Sequence, residues 1–307
     1  MQRHLYTLLI ITIITLAACE RPVDIHIEPL PAKITVVSNF TPGQPIAVTV
    51  SKSRPILSND DPDYIENATV RLYQGDNLVE TLSLQPGDSG QTPRYVSQAF
   101  RPAAQTTYRL EVEAPGLPSV HSSSQIPAAA PIRSLRVSDV QISGSSNQRI
   151  FSYLVTIIFA DPVGVPNFYH LDFYQQIWDY EIEAGDTLIR ESRQRKVTFS
   201  SENDNNSLIA YFNGGVLFDD TGFDGAVVAY SFTLQTSIDP AKEIIGNMLA
   251  ELRTTSREYY LFHNSLSRQQ TSPGGPFSEP VIIYNNIKNG RGIFAGYHPV
   301  LDSVAIQ

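Results

Sequence analysis

From residue 32 onward the chain is written in short runs where apolar and polar positions alternate. Ile34-Thr35-Val36-Val37, Ile46-Ala47-Val48-Thr49-Val50, Ala68-Thr69-Val70-Arg71-Leu72-Tyr73 and Tyr108-Arg109-Leu110-Glu111-Val112 follow a period of two and are rich in β-branched residues. Successive side chains on a strand point to opposite faces, so these runs predict half-buried β-strands. Gly, Pro, Asn and Asp collect between them. Gly75-Asp76-Asn77 separates the run ending at Tyr73 from Leu78–Leu82, which predicts a hairpin there. Strands repeating at roughly ten-residue spacing predict an immunoglobulin- or transthyretin-like β-sandwich over residues 32–127.

The alternation lapses at "SSSQIPAAAPIRS", residues 122 to 134, which places a linker near Pro127–Pro131. Beyond it, runs at Leu135–Ile142, Phe151–Phe159, Tyr169–Tyr174, Arg195–Phe199, Leu208–Phe212 and Ala226–Ser237 predict a second β-rich domain over 132–307. One segment differs. Thr255-Ser256-Arg257-Glu258 fits a capping box, and Tyr259, Phe262, His263 and Leu266 then recur at helical spacing. A single amphipathic helix is expected near 257–269. A Pro- and Gly-rich loop, the apolar run Val281–Tyr284 and closing strands near 292–295 and 303–306 complete a mainly β chain.

A hydrophobic content of 42% over 307 residues supplies enough apolar surface for real cores. The net charge of -9, without a run of clustered Lys and Arg in the sequence, argues against a phosphate-tracking nucleic-acid surface, so no nucleic-acid partner is expected. Residues 1–18 begin with Arg3 and His4 and continue as the uncharged stretch Leu5–Ala18, a signal-peptide pattern. As a helix that stretch would measure about 21 Å against a hydrocarbon core of about 30 Å, too short to span comfortably. Residues 19–31 hold three prolines and read as a tether. Cys19 is the only cysteine, so no disulfide within the chain is available to it; taken alone, it leaves open a structural cysteine or a free thiol behind an uncleaved export signal. Leu16-Ala17-Ala18-Cys19, however, resembles a bacterial lipobox. That resemblance implies lipidation of Cys19 and cleavage just before it. Each buried acyl methylene stabilises insertion by about 0.8 kcal/mol, so two or three chains anchor firmly where one does not.

Candidate chemistry is sparse. Gly87-Asp88-Ser89-Gly90 imitates the nucleophile tetrapeptide of trypsin-like proteases, but lies between two predicted strands, where Gly, Asp and Ser are ordinary turn residues. Asp219-Asp220-Thr221-Gly222-Phe223-Asp224-Gly225 offers three carboxylates, yet Ser231 stands where a helical calcium loop counted from Asp220 needs its closing glutamate. Glu202–Asn206 reads as a polar loop. The six histidines lack ligand spacing, and no glycine-rich phosphate loop precedes a helix. No metal, cofactor or catalytic residue is predicted. "NFYHLDFYQQIWDYE", residues 167 to 181, is the most aromatic stretch. In a half-buried strand one alternating set packs inward and the other faces out; Tyr169, Tyr174, Trp178 and Tyr180 are the candidates for a ligand or partner surface, with core packing as the other reading. Thr187 and Ser303 sit in short Asp-Thr/Ser-apolar patterns that one Gram-negative phylum uses for periplasmic O-glycosylation.

Several stretches in order resemble the lipoprotein family known as domain of unknown function 4249. They are "AKITVVSNFTPGQPIAVTVSKS", "IENATVRLYQGDNLVETL" and "YVSQAFRPAAQTTYRLEVEAPGLPSVHSSSQIP", then "LFDDTGFDG", "LRTTSREYYLFHNSL" and "NNIKNGRGIFAGYH". Asn285 stands where the family tends to have glycine. The resemblance implies an outer-membrane lipoprotein anchored through Cys19, with a TonB-dependent outer-membrane transporter as a neighbour and no established reaction. The expectation is therefore a non-enzymatic binding or accessory subunit. The alternatives are a structural or adhesive envelope spacer and, behind it, an envelope hydrolase built on His170, His263 or His298. Which membrane face the protein occupies stays open, because Glu20 is followed at once by Arg21 and Pro22.

Overall fold

The alternating runs become strands in the computed structural model, which describes residues 31–54, 60–87, 90–183, 185–201, 208–272 and 281–306. The first eight are β1 (Ile34–Phe40), β2 (Ala47–Lys52), β3 (Thr69–Gln74), β4 (Asn77–Thr81), β5 (Ser83–Gln85), β6 (Arg94–Val96), β7 (Thr107–Ala114) and β8 (Leu117–Gln125). β1 buries Ile34, Val36, Ser38 and Phe40 and exposes Val37 and Asn39, as a period of two requires. The expected hairpin joins β3 to β4 with Gln74 opposite Asn77. Gly75 takes φ 59°, the positive value that such a two-residue turn needs at its first position. β1-β2-β6-β5 and β4-β3-β7-β8 form the two layers of the N-terminal sandwich. Val36, Val48, Val70, Leu72, Leu110 and Val112 fill the space between them, each stabilising the fold by roughly 1.5–3 kcal/mol.

The second β-rich part contains β9 (Ile132–Gly144), β10 (Arg149–Ala160), β11 (Phe168–Glu183), β12 (Asp186–Lys196), β13 (Thr198–Ser201), β14 (Ile209–Ala210), β15 (Val216–Asp219), β16 (Val227–Ile238) and β17 (Glu243–Thr255). A sheet β13-β16-β10-β9 lies over β11 and β17. Phe159, Tyr169, Phe173, Phe218 and Phe232 make that core strongly aromatic.

The closing strands expected in two pieces are a single strand, β18 (Arg291–Val304). Its first part, Arg291–Gly296, pairs parallel with β1; the remainder, Tyr297–Val304, pairs antiparallel with β17. Among the described residues this yields one ten-stranded sheet, β14-β15-β11-β17-β18-β1-β2-β6-β5, with β12 beside β11. Gly292 permits the close parallel pairing with β1: its φ is +106°, and a Cβ there would lie 2.0 Å from the Val36 carbonyl oxygen. Ile287 and Phe294 thereby enter the sandwich core, where Phe294 stacks on Phe40 with ring centroids 4.5 Å apart. From Ala32 on, the described residues make one compact unit.

The helix, α1, runs Arg257–Thr271. Its N-cap is Ser256, whose Oγ accepts from the Tyr259 N–H, so the cap falls one residue later than the capping box predicted. Thr255 is still strand, held opposite Phe168 and Tyr297. Glu258 in the first turn and Arg268 in the last suit the helix dipole. Val281–Tyr284 forms no strand; the Tyr284 N–H donates to Ser265 Oγ of α1 at 2.9 Å. No helix among the described residues is long and apolar enough to cross a membrane.

Candidate functional site

β11 divides its side chains by parity. Tyr169, Leu171, Phe173 and Ile177 enter the aromatic core, whereas His170, Asp172, Tyr174, Gln176 and Trp178 face the other side of the sheet. Neighbouring strands carry charge to the same face: Arg253 and Glu251 of β17 oppose His170 and Asp172, and Lys196 of β12 opposes Tyr174. The near end of this face is covered by α1 and by the turn at 211–215, so His170 and Asp172 are only 2% and 1% exposed. Gly215 fits directly over them: a Cβ there would lie 2.3 Å from Asp172 Oδ1.

Two buried charges lose several kcal/mol of hydration each, so their geometry must be good. Asp172 holds Lys196 Nζ at 2.7 Å and Arg253 Nη1 at 3.0 Å. Arg253 also donates through Nη2 and Nε to Glu251 at 2.7 and 3.0 Å, and its guanidinium lies 5.6 Å from the centroid of the Tyr297 ring. Burial opposes the Arg253 cation, but the Glu251 and Asp172 carboxylates outweigh it and hold the charge. Two carboxylates therefore balance two cations. The Tyr259 hydroxyl lies 2.9 Å from His170 Nδ1, and Arg253, which can only donate, is 3.5 Å from the same atom. Nδ1 is thus the acceptor, and Nε2 carries the proton 3.6 Å from Asp172 Oδ1, beyond hydrogen-bond range. His263 Nδ1 meets the Tyr211 hydroxyl at 2.8 Å and its Nε2 meets Asn39 at 3.3 Å. Burial, then the Arg253 charge, push His263 down to about 4; burial first, then Arg253, His263 and Lys196, hold His170 well below its ordinary value. Both imidazoles are neutral at pH 7. His298 Nδ1 lies 3.2 Å from the Pro127 carbonyl oxygen, so none of the three histidines hydrogen-bonds a carboxylate among the described residues.

Farther along the same face the sheet opens. Tyr174, Gln194, Glu251, Pro299 and Leu301 line a cleft of about 450 Å³. Past it β11 and β12 continue as a two-stranded ribbon whose faces differ. One carries Trp178, Tyr180, Ile182, Thr187 and Ile189, with Ile244 of β17 opposite Trp178. Ile182, Ile189 and Ile244 are 68%, 50% and 40% exposed. The other face is charged, with Arg193 between Asp179 and Glu243, and Arg190 on Glu181 and Glu183. Gly246 sits beneath the indole, since a Cβ there would lie 2.6 Å from Trp178 Nε1.

The family model described as "Domain of unknown function (DUF4249)" matches residues 20–300. The chain belongs to the DUF4249 family. No curated protein matches it. A solved structure of three N-terminal domains of the bacteriophage RB49 Highly Immunogenic Outer Capsid protein (Hoc) is similar at 13% identity and a TM-score of 0.21, over 74% of this chain and 64% of that one. The chain thus spans less than two thirds of that structure's length.

In this DUF4249 protein the surface candidates separate. Tyr174, Trp178 and Tyr180 share the outer face, and the Tyr180 hydroxyl donates to the Pro240 carbonyl at 2.7 Å. Tyr169 does not: its odd position turns it into the core, fully buried, with its hydroxyl on Asp161. Thr187 lies exposed near the ribbon tip and Ser303 exposed on β18. Cys19, Asp88, Ser89, residues 202–207 and residues 273–280 of the Pro- and Gly-rich loop lie outside the described residues. The Asp219–Gly225 stretch gains a member that local reading missed. Carboxylate oxygens of Asp161, Asp220 and Asp224 come within 4.8 Å of one another. Each is already taken by a backbone N–H at 2.8 Å, from Gly225, Asn167 and Gly164 respectively. The trio ties the 161–167 loop to the 220–225 turn. Local reading also missed Asp172, Lys196 and Arg253; the available signal was His170 and Asp172 breaking an otherwise aromatic strand.

Proposed function

We propose that the chain is a lipid-anchored, non-enzymatic accessory subunit of the outer membrane, held through Cys19 and docked by the β11–β12 ribbon against a TonB-dependent transporter. The observation carrying this reading is the exposed apolar face of the ribbon, where Trp178, Tyr180, Ile182 and Ile189 stand beside Ile244. Rigid aromatic and aliphatic side chains with an ion-paired opposite face fit a protein interface better than a solvated edge. The polar cluster supports a structural rather than catalytic role: its charges balance, its imidazoles are neutral, and Gly215 closes over it. The anchor is tested by fractionation. Cys19→Ala is expected to abolish acylation and signal cleavage and to move the chain out of the outer-membrane fraction; a variant that still fractionates wholly with outer membrane overturns the anchor. An envelope spacer is the competing outcome, marked by full anchoring with no transporter recovered.

A further inference from the structure

The stretch "NNIKNGRGIF" builds a feature that the proposed function does not use. A groove of about 770 Å³ lies where β8, the start of α1 and the 285–291 loop meet the residues preceding β1. Lys33, Lys288 and Arg291 line it, all exposed and none in an ion pair among the described residues. Its one carboxylate is Glu258, half-buried and accepting from Ser124 Oγ at 3.3 Å. Three cations less one anion leave the groove formally at +2, on a chain of net charge -9.

The cations sit on a braced frame. Asn286 donates through Nδ2 to the Phe294 carbonyl at 2.7 Å and accepts the Phe294 N–H at 3.0 Å. Asn285 donates to the carbonyls of Ile287 and Gly290, and the Lys288 N–H donates to the His121 carbonyl at 2.8 Å. Gly290 has no room for a side chain, since its Cβ would lie 2.7 Å from the Ile34 carbonyl oxygen. Binding here therefore orders little backbone. Lys33 also opens the folded unit, and Cys19 precedes Ala32 by 13 residues, a reach of at most about 45 Å.

We propose that this groove is a headgroup face: Lys33, Lys288 and Arg291 rest against the phosphates of the anionic lipid surface to which the chain is tethered. The inference rests on the lipid-anchor reading above. A basic residue near an anionic surface favours contact about fivefold, so two net charges favour the groove-down orientation about 25-fold. The attraction fades within about 8 Å at physiological salt, which is why the short tether matters.

The test uses the processed, acylated protein with Ser123→Cys, a substitution at an exposed position lining the groove. The acylated Cys19 has no free thiol, so the introduced cysteine is the sole target for N-ethylmaleimide. Labelling is compared on vesicles of phosphatidylcholine alone and of phosphatidylcholine with phosphatidylglycerol, with Ser146→Cys at the exposed β9–β10 turn as the reference position. The expected result is labelling of Ser123→Cys slowed on the order of tenfold on the anionic vesicles only. Ser146→Cys keeps one rate on both, and Lys33→Gln, Lys288→Gln and Arg291→Gln together remove the protection. Equal Ser123→Cys rates on both vesicle types, in protein that floats with both, overturn the headgroup face and leave the anchor standing. Protein that floats with neither overturns the anchor itself.

Discussion

Asp172→Asn preserves shape and removes the charge around which Lys196, at 2.7 Å, and Arg253, at 3.0 Å, are arranged. The two cations respond differently. The Lys196 side chain is 31% exposed and can swing to water; that of Arg253 is 16% exposed and is left with Glu251. Removing one member of a buried ion pair typically costs about 3–5 kcal/mol. Because Lys196 can escape and Glu251 remains, the expected loss is at the lower end, about 3 kcal/mol. At about 2–4 °C per kcal/mol for a chain of this size, the melting temperature should fall by about 6–12 °C. Urea unfolding is the assay: the midpoint should drop with an unchanged m-value, since the exposed surface is the same. Arg253→Met in the Asp172→Asn background should then cost at least about 1 kcal/mol less than in the native chain, because the two groups act on one another. A single-variant loss below about 1 kcal/mol, or strict additivity in the double variant, would refute the claim that this network holds the face together.

Acid should loosen the same region. His170 and His263 are depressed in the folded chain, so the unfolded chain binds more protons between the ordinary histidine value of 6.5 and the native value of about 4 for His263. Their contribution to stability is complete above pH 6.5 and declines as pH falls through that window; His263→Gln should flatten the slope there by up to about 1.4 kcal/mol per pH unit. Gly246→Val should push the indole of Trp178, the single tryptophan, away from its seat. Its emission should shift to the red and become easier to quench, and an unchanged spectrum would contradict the placement of that ring.

Much of the N-terminal sandwich was legible because period-two burial is written locally: β1, β2, β3 and β7 bury the alternate positions that the apolar runs mark. The two halves of β18 were not joined in advance, because its partners, β1 and β17, lie far away along the chain and only the fold aligns them. The same long-range pairing explains the misplaced helix cap. Thr255 satisfies the local capping pattern, but its pairing with Tyr297 keeps it in the strand and passes the cap to Ser256. Within "NFYHLDFYQQIWDYE" the alternation was readable, but which parity faced the core was not. That depended on β10 and β16 bringing Phe159, Tyr230 and Phe232 over the odd positions. The Asp172 network was hidden for a related reason: its members come from β11, β12 and β17, and each alone looks like a solvated charge.

Affinity capture from detergent-solubilised outer membranes tests docking through the ribbon face most directly. The native chain should enrich a TonB-dependent barrel. Ile182→Glu with Ile189→Glu, two exposed positions whose replacement leaves the cores untouched, should lose that barrel while keeping the native circular dichroism spectrum. Recovery of no such barrel by the native chain, or equal recovery by the variant, would contradict the account.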